Sequence, residues 1–335
     1  MALFSRELGI DLGTFFIRVA ERNEVILQEP TVAAIVIDEQ KMVSWGQEAQ
    51  NMLGKVPESL EVMRPLVNGV IADYEVTERM LSALLKRLGG PLRIFGPRVM
   101  VTVPYGVTSV ESRAVHEAIL QAGAREASLI QQPLAAALGV DLPIGTPSGN
   151  MLVCLGGGAT QAAVMAMYGV VSAETLRAGG MSLDDAIIGY VRKKFGLIIG
   201  QLTAEQVKIR IGAAVPQEEE QSIEIQGQDQ VNGLPRPASL TTGEVVEALR
   251  EPLDNIIETV RRVLEKTPPE LVSDIIDRGV ALTGGGALLR GIDKLMTKEL
   301  GIPAYRVDNP VMCTAQGAAR ALEMYPIIRR NLPAV

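Results

Sequence analysis

The chain has 335 residues, room for two domains of ordinary size, and 47% of them are hydrophobic, enough for real cores. Its formal net charge is −7, from 32 basic and 39 acidic residues, and no basic face is visible; this argues against a nucleic-acid partner. Aromatic content of 4% makes the cores aliphatic. Cys154 and Cys313 lie far apart without metal spacing and suit a reducing cytoplasm. The lone histidine, His116, sits in a helical stretch and gives a His-based triad nothing else to draw on. No apolar run reaches the roughly 18 residues of a spanning helix. Arg6, Glu7 and Asp11 come too early for a signal peptide.

Residues 7–37 alternate short apolar runs with turns and predict a meander of strands. Residues 38–75 mix short strands with one helical stretch over 47–53. Val76, Met80, Leu84 and Leu88 form one stripe of a helix over 75–88. A loop over 89–97 leads to a strand over 98–103. Thr108 and Glu111 form a capping box that opens a helix to about Ala122. A buried strand over 127–131 follows, and Pro133 starts a short helix. The turn-rich stretch 143–149 separates the halves.

The second half repeats the theme. A strand, a glycine turn and a strand cover 151–167, with another strand over 170–177 and a helix over 182–195. Thr203 to Gln206 reads as the cap of a further helix. Residues 216–240 are polar and read as short strands and loops. Thr241 and Glu244 cap a long helix to about Lys266. A strand over 278–282 precedes a glycine turn and a helix from about Ala287. A strand over 303–307 and a helix over 315–324 close the chain.

Three turns carry the chemistry: 11–16, 156–161 and 284–286. Glycine exposes backbone N–H groups with no side chain in the way, and such turns can wrap a phosphate. A duplicated α/β core with a ligand between the halves follows from two strand–turn–strand starts. Asp11 reads either as a turn cap or as a metal-facing carboxylate. Glu205 and Lys208 read either as an exposed i,i+3 pair or as ligand contacts.

The motifs IDLGT (10–14), EPTVAAI (29–35), RPLVNGVIADYEVTE (64–78), PRVMVTVP (97–104), QQPLAAALG (131–139) and LTGGGALLRG (282–291) together resemble the MreB family of bacterial actin-like proteins. The resemblance covers essentially the whole chain. It implies an actin-like, duplicated ribonuclease-H-like α/β fold of two lobes, each with a core and a smaller accessory subdomain. The implied boundaries are 1–31 with 76–145 and 312–335 for the first core, and 32–75 for its accessory part. For the second lobe they are 146–182 with 243–311 for the core and 183–242 for the accessory part.

The resemblance implies ATP in the cleft, with Gly13, Thr14 and Phe15 and then Gly156, Gly157, Gly158 and Ala159 around the phosphates. It implies Mg²⁺ oriented through water by Asp11, a hard ion that favours oxygen ligands. Glu205 and Lys208 are expected at the ribose or base, and Gly284, Gly285, Gly286 and Ala287 against the nucleoside. Gln131 stands where the family has a water-positioning Glu. Cys154 stands where the family's second loop begins with an acid, Ala159 replaces a hydroxyl and Gln161 an acid. Phe15 and Phe16 bring bulk beside the first turn, with one ring expected in the strand core by alternation. A thiol is a poor Mg²⁺ partner and a neutral amide is no base.

The expected role is therefore a filament-forming protein of the cell-shape and wall-synthesis scaffold, with hydrolysis weak or lost. The alternative is a fully active ATP-hydrolysing filament protein. A small-molecule kinase lacks acceptor-site residues. The resemblance also implies double protofilaments of self, co-assembly with a more active MreB paralogue, membrane proteins of wall synthesis as partners, and a cytoplasmic, peripheral place on the inner membrane face. Leu3 and Phe4 after Met1, and Leu92, Ile94 and Phe95 in a loop, are the expected membrane contacts.

Overall fold

The structure, a computed structural model, describes residues 6–89 and 96–334. The expected membrane contacts Leu3, Phe4, Leu92, Ile94 and Phe95 lie outside them. The chain opens with β1 (Glu7–Leu12), β2 (Phe16–Glu21) and β3 (Glu24–Pro30), paired as an antiparallel meander. A small unit follows: β4 (Ala33–Val36), β5 (Lys41–Trp45), α1 (Gln47–Met52) and β6 (Leu60–Met63). Next come a short ladder of β7 (Leu66–Val67) and β8 (Val70–Ile71), then α2 (Tyr74–Gly89). The half closes with β9 (Arg98–Val103), α3 (Ser109–Gln121), β10 (Glu126–Gln131) and α4 (Gln132–Gly139).

The second half begins with another antiparallel meander of β11 (Asn150–Leu155), β12 (Thr160–Ala166) and β13 (Gly169–Leu176). After α5 (Gly180–Phe195), β14 (Leu197–Ile198) and α6 (Gln201–Ile211) comes the hairpin of β15 (Ser222–Asp229) and β16 (Pro235–Thr241). The rest is α7 (Thr242–Glu265), α8 (Pro269–Arg278), β17 (Val280–Thr283), α9 (Ile292–Leu300), β18 (Ala304–Arg306), α10 (Cys313–Glu323) and a last helical turn, α11 (Tyr325–Ile328).

Among the described residues two five-stranded sheets dominate, ordered β10-β9-β1-β2-β3 and β13-β12-β11-β17-β18. Each joins its meander to two parallel strands, β9 and β10 in one and β17 and β18 in the other. The two sheets are one pattern used twice, as two lobes. Side-chain alternation sets what each face meets. Leu8, Ile10 and Leu12 of β1 enter the core under α2 and α3, while Gly9 and Asp11 face the other way. In β11, Met151, Val153 and Leu155 pack on the α5 and α7 side, whereas Leu152 and Cys154 face α4 and α10.

The lobes meet through α4 and α10, whose Ala135, Ala136, Ala318 and Ala321 share one buried cluster with Leu152, Ala163 and Ala281. Small residues let these helices touch backbone to backbone. A Cβ on Gly317 would lie 1.7 Å from the Ala135 carbonyl oxygen, and one on Gly139 1.9 Å from that of Cys313. A Cβ on Gly9 would lie 2.1 Å from the Ala319 nitrogen, so α10 also sits directly on β1.

Three local expectations change. The helix expected to be capped at Thr203 starts a turn earlier: Gly200 is its N-cap residue and accepts from the Thr203 and Ala204 N–H groups. The helix expected from Ala287 starts at Ile292, because residues 285–288 form a 3₁₀ turn and Gly291 takes φ 73° before the helix. The stretch 269–278, to which periodicity assigned no element, is α8, opened by Pro269. The capping boxes at Thr108 and Thr241 form as expected.

The α4–α10 crossing gives a direct stability test. Gly317→Ala forces a methyl into backbone that has no side-chain end to move aside, so unfolding free energy falls by about 1–3 kcal/mol. Chemical denaturation measures it; an unchanged midpoint would show that the helices do not touch there.

Candidate functional site

Between the lobes lies a cleft of about 430 Å³. Its floor is two hairpin turns of the same build. Gly13 donates its N–H to the Phe16 carbonyl at 3.2 Å, and Gly156 donates to the Ala159 carbonyl at 3.0 Å. A Cβ would meet that carbonyl oxygen at 2.7 Å in the first turn and 2.6 Å in the second, so both positions need glycine. The tips face each other: a Cβ on Gly158 would lie 2.5 Å from Thr14 Oγ1, and one on Gly157 would lie 2.1 Å from the Phe15 ring. Thr14 is pinned because its Oγ1 accepts the Gly69 N–H at 2.8 Å.

Phe15 sits in the turn rather than in β2, and neither Phe15 nor Phe16 is a core residue. The strand core at this point is Ile17, fully buried. The expectation of one ring in the core fails because the strand starts one residue later than the apolar run. The Phe15 ring instead narrows the space between the tips. The Arg64 guanidinium stacks 4.2 Å from its centroid, with Nη1 buried and unpartnered. Burial pulls the Arg64 pKa down, against the attraction of Glu205 and Asp184.

The cleft is lined by Asp11, Gly13, Thr14, Phe15, the turn 156–159, Glu205, Lys208 and the turn 284–286, which brings most of the expected residues together. Ala287 is not among them; it is 2% exposed and packs into the second lobe's core. Gln131 ends β10 half-buried as the residue before α4, and it is Gln132 that lines the cleft. The resemblance assigned the role to Gln131, and the strand–helix junction instead brings Gln132 to the cleft. Phe16, expected beside the first turn, lines it as well; Arg18, Leu288, Arg290, Val311 and Thr314 also line it and were not legible as site residues. Arg18 had a signal: it lies opposite Asp11 across the first hairpin.

Gln132 belongs to a hydrogen-bonded chain that crosses the cleft. The Tyr105 N–H donates to Gln161 Oε1 at 2.7 Å, and Gln161 Nε2 donates to Gln132 Oε1. A backbone N–H can only donate, so it fixes which end of the Gln161 amide is which. Gln132 Oε1 is thereby taken, and its Nε2 is left as a donor. Thr175 Oγ1 donates to the Tyr105 carbonyl at 2.7 Å and adds a second tie between lobes.

Lys208 is held from within its own lobe. Its Nζ lies 2.8 Å from Asp184 Oδ1 and donates to the Gly180 carbonyl at 2.8 Å. Neither Asp184 oxygen has an aligned hydrogen-bond donor, although the carboxylate is fully buried; the lysine meets it off-axis. Burial therefore outweighs Lys208 and pushes the Asp184 pKa up to about 6.

Asp11 is buried. Its Oδ1 accepts from Thr102 Oγ1 at 3.1 Å, and its Oδ2 lies 3.6 Å from Arg18 Nη1. Burial raises its pKa against the pull of Arg18. Cys154 reaches Thr283 Oγ1 at 3.4 Å, and burial drives its pKa well up, so the thiol stays protonated. This donor set does not suit Mg²⁺: one carboxylate already balanced by a guanidinium, a thiol and two amides bonded to each other. Among the described residues no group of three His, Cys, Asp or Glu could hold a metal.

The match to known proteins is extensive. The family model of the MreB/Mbl protein covers residues 5–330. The cell shape-determining protein MreB of Escherichia coli (strain K12) is 44% identical over 328 residues, spanning 96% of this chain and 94% of that one. MreB5 of Spiroplasma citri, solved bound to ADP, superposes with a TM-score of 0.91 at 31% identity over 97% of this chain and 98% of that chain; it is also solved bound to AMPPNP. The MamK double helical filament shares the fold, with a TM-score of 0.79 at 22% identity over 94% of this chain and 98% of that chain.

The Asp184 shift has a testable sign. Between the ordinary value of 3.8 and about 6 the folded chain binds more protons than the unfolded chain, so this group costs stability as pH rises through that window. Melting of wild type and Asp184→Asn side by side will show the wild type gaining on the variant as pH falls from 7 to 4. A constant or reversed difference would mean the carboxylate is charged and well paired throughout.

Proposed function

The chain belongs to the MreB/Mbl family, and from that premise we propose that it is an actin-like, filament-forming protein of the cell-shape scaffold that holds a nucleotide between its lobes and cleaves it slowly or not at all. The reading extends what MreB5 binds to this chain: the two glycine hairpins offer backbone N–H groups to phosphates, and the 284–286 turn with Leu288 and Ile209 walls the far end. Glu205 is the polar group left for the ribose, since Lys208 is engaged with Asp184.

The neutrality of Gln132 carries the reading on hydrolysis. A group that activates water as a base must accept a proton, and Gln132, an amide whose Oε1 already accepts from Gln161, cannot take one. Gln131 is equally unable to act as a base, and the Cys154 thiol supplies no charge. An amide can still orient water, but loss of general-base help alone slows such a step by about 10²–10⁴-fold. In this reading the nucleotide acts as a filler that sets the angle between lobes.

The same reading assigns the chain self-association into double protofilaments, with co-assembly beside a more active relative. It places the filament on the inner face of the cytoplasmic membrane, with membrane proteins of wall synthesis as partners, and with Leu3, Phe4, Leu92, Ile94 and Phe95 as contacts repeated along it. Among the described residues no helix is long and apolar enough to cross a membrane.

Phosphate release by the purified chain tests the catalytic part. The expected rate with ATP is at background and unchanged by Asp11→Ala. Turnover clearly above background that Asp11→Ala abolishes would establish an active ATPase and overturn the reading.

A further inference from the structure

Asp11 and Arg18 are partners in the register of β1 and β2, so their side chains stand side by side on the cleft face. Arg18 is built into place. Its side chain is 11% exposed, its Nε donates to Gln28 Oε1 at 2.8 Å, and its guanidinium lies 5.1 Å from the Phe16 ring centroid. One end is thus tethered while Nη1 stands 3.6 Å from Asp11 Oδ2, longer than a hydrogen bond. Both residues line the cleft, beside the Gly13 and Gly156 turns.

The charges at this spot decide what it can hold. Among the described residues that line the cleft the carboxylates are Asp11 and Glu205; Glu205 lies on the helix of Lys208, while Asp11 stands beside the turns, where Arg18 balances it and the neighbours Cys154, Gln132 and Gln161 are neutral. A divalent cation entering beside Asp11 meets a carboxylate already balanced and a guanidinium 3.6 Å from it. A phosphate chain meets the reverse: a guanidinium whose flat fork matches phosphate oxygens, plus backbone N–H groups from both turns.

We propose that Arg18 takes the place of the divalent cation, so that this cleft binds nucleoside di- and triphosphates without Mg²⁺. The inference rests on the nucleotide reading above and deepens it. In the nucleotide-bound state the guanidinium swings from Asp11 toward the phosphates over the gap it already spans, with Gln28 and Phe16 holding its stem. Asp11 then acts as a positioning residue that keeps the fork facing the turns.

Isothermal titration of the full chain with ATP and with ADP, in EDTA and in millimolar Mg²⁺, tests this. For the wild type the Kd should agree between the two buffers to within about threefold. Arg18→Met should weaken binding by about tenfold or more in EDTA, the effect of one lost charged hydrogen bond, and Mg²⁺ should recover part of it. Arg18→Lys, which keeps the charge but not the fork, should fall between. A merely structural role for Arg18 would lower the melting temperature and weaken binding equally in both buffers, which overturns the proposal. Wild-type binding that collapses in EDTA overturns it as well. No nucleotide binding in either buffer would instead overturn the nucleotide reading itself.

Discussion

The crossing of α4 over α10 sets the distance between the lobes. Gly139 and Gly317 remove the side chains that would hold the two helices apart, so backbone rests on backbone. Gly9 brings α10 onto β1 in the same way, and α4 follows directly from β10. The two hairpins then meet tip to tip at Thr14, Phe15, Gly157 and Gly158. The cleft exists because these contacts leave no freedom to close it completely. Polar ties across it run from Tyr105 to Gln161 and Thr175, from Gln161 to Gln132 and from Arg177 to Glu111.

The chemistry of the cleft follows from which charges are present. A phosphate site needs positive charge or N–H groups, and hydrolysis needs a proton acceptor beside water. The turns supply the N–H groups and Arg18 the charge. On the proposed reading no base stands beside the water: Gln131 and Gln132 are neutral amides, Cys154 stays a thiol, and the Asp11 charge is balanced by Arg18. The duplicated fold and the family of the chain account for the shape.

Much of this was legible from residues alone. The strand–turn–strand repeats placed both hairpins, and the glycine turns placed the cleft, because glycine there is a steric demand. The capping boxes at Thr108 and Thr241 were read correctly because their bonds are local. What was not legible depends on pairing across space. Gln132 rather than Gln131 faces the cleft because the helix turns at that junction. Ala287 goes into the core because the glycine turn continues as a 3₁₀ turn. Lys208 is claimed by Asp184 from another helix, a partnership that no spacing rule reveals. Arg18 does carry a signal in the sequence, since a hairpin with a short turn fixes which residues oppose each other.

On the proposed reading the nucleotide is a filler, bound but not cleaved, that sets the angle between the lobes. Filament assembly followed over hours by sedimentation and electron microscopy, with ATP in parallel with AMPPNP, tests it most directly. The account predicts the same lag, the same extent and equally persistent filaments with both. Filaments that form with ATP and then fall apart, while those with AMPPNP persist, would contradict it.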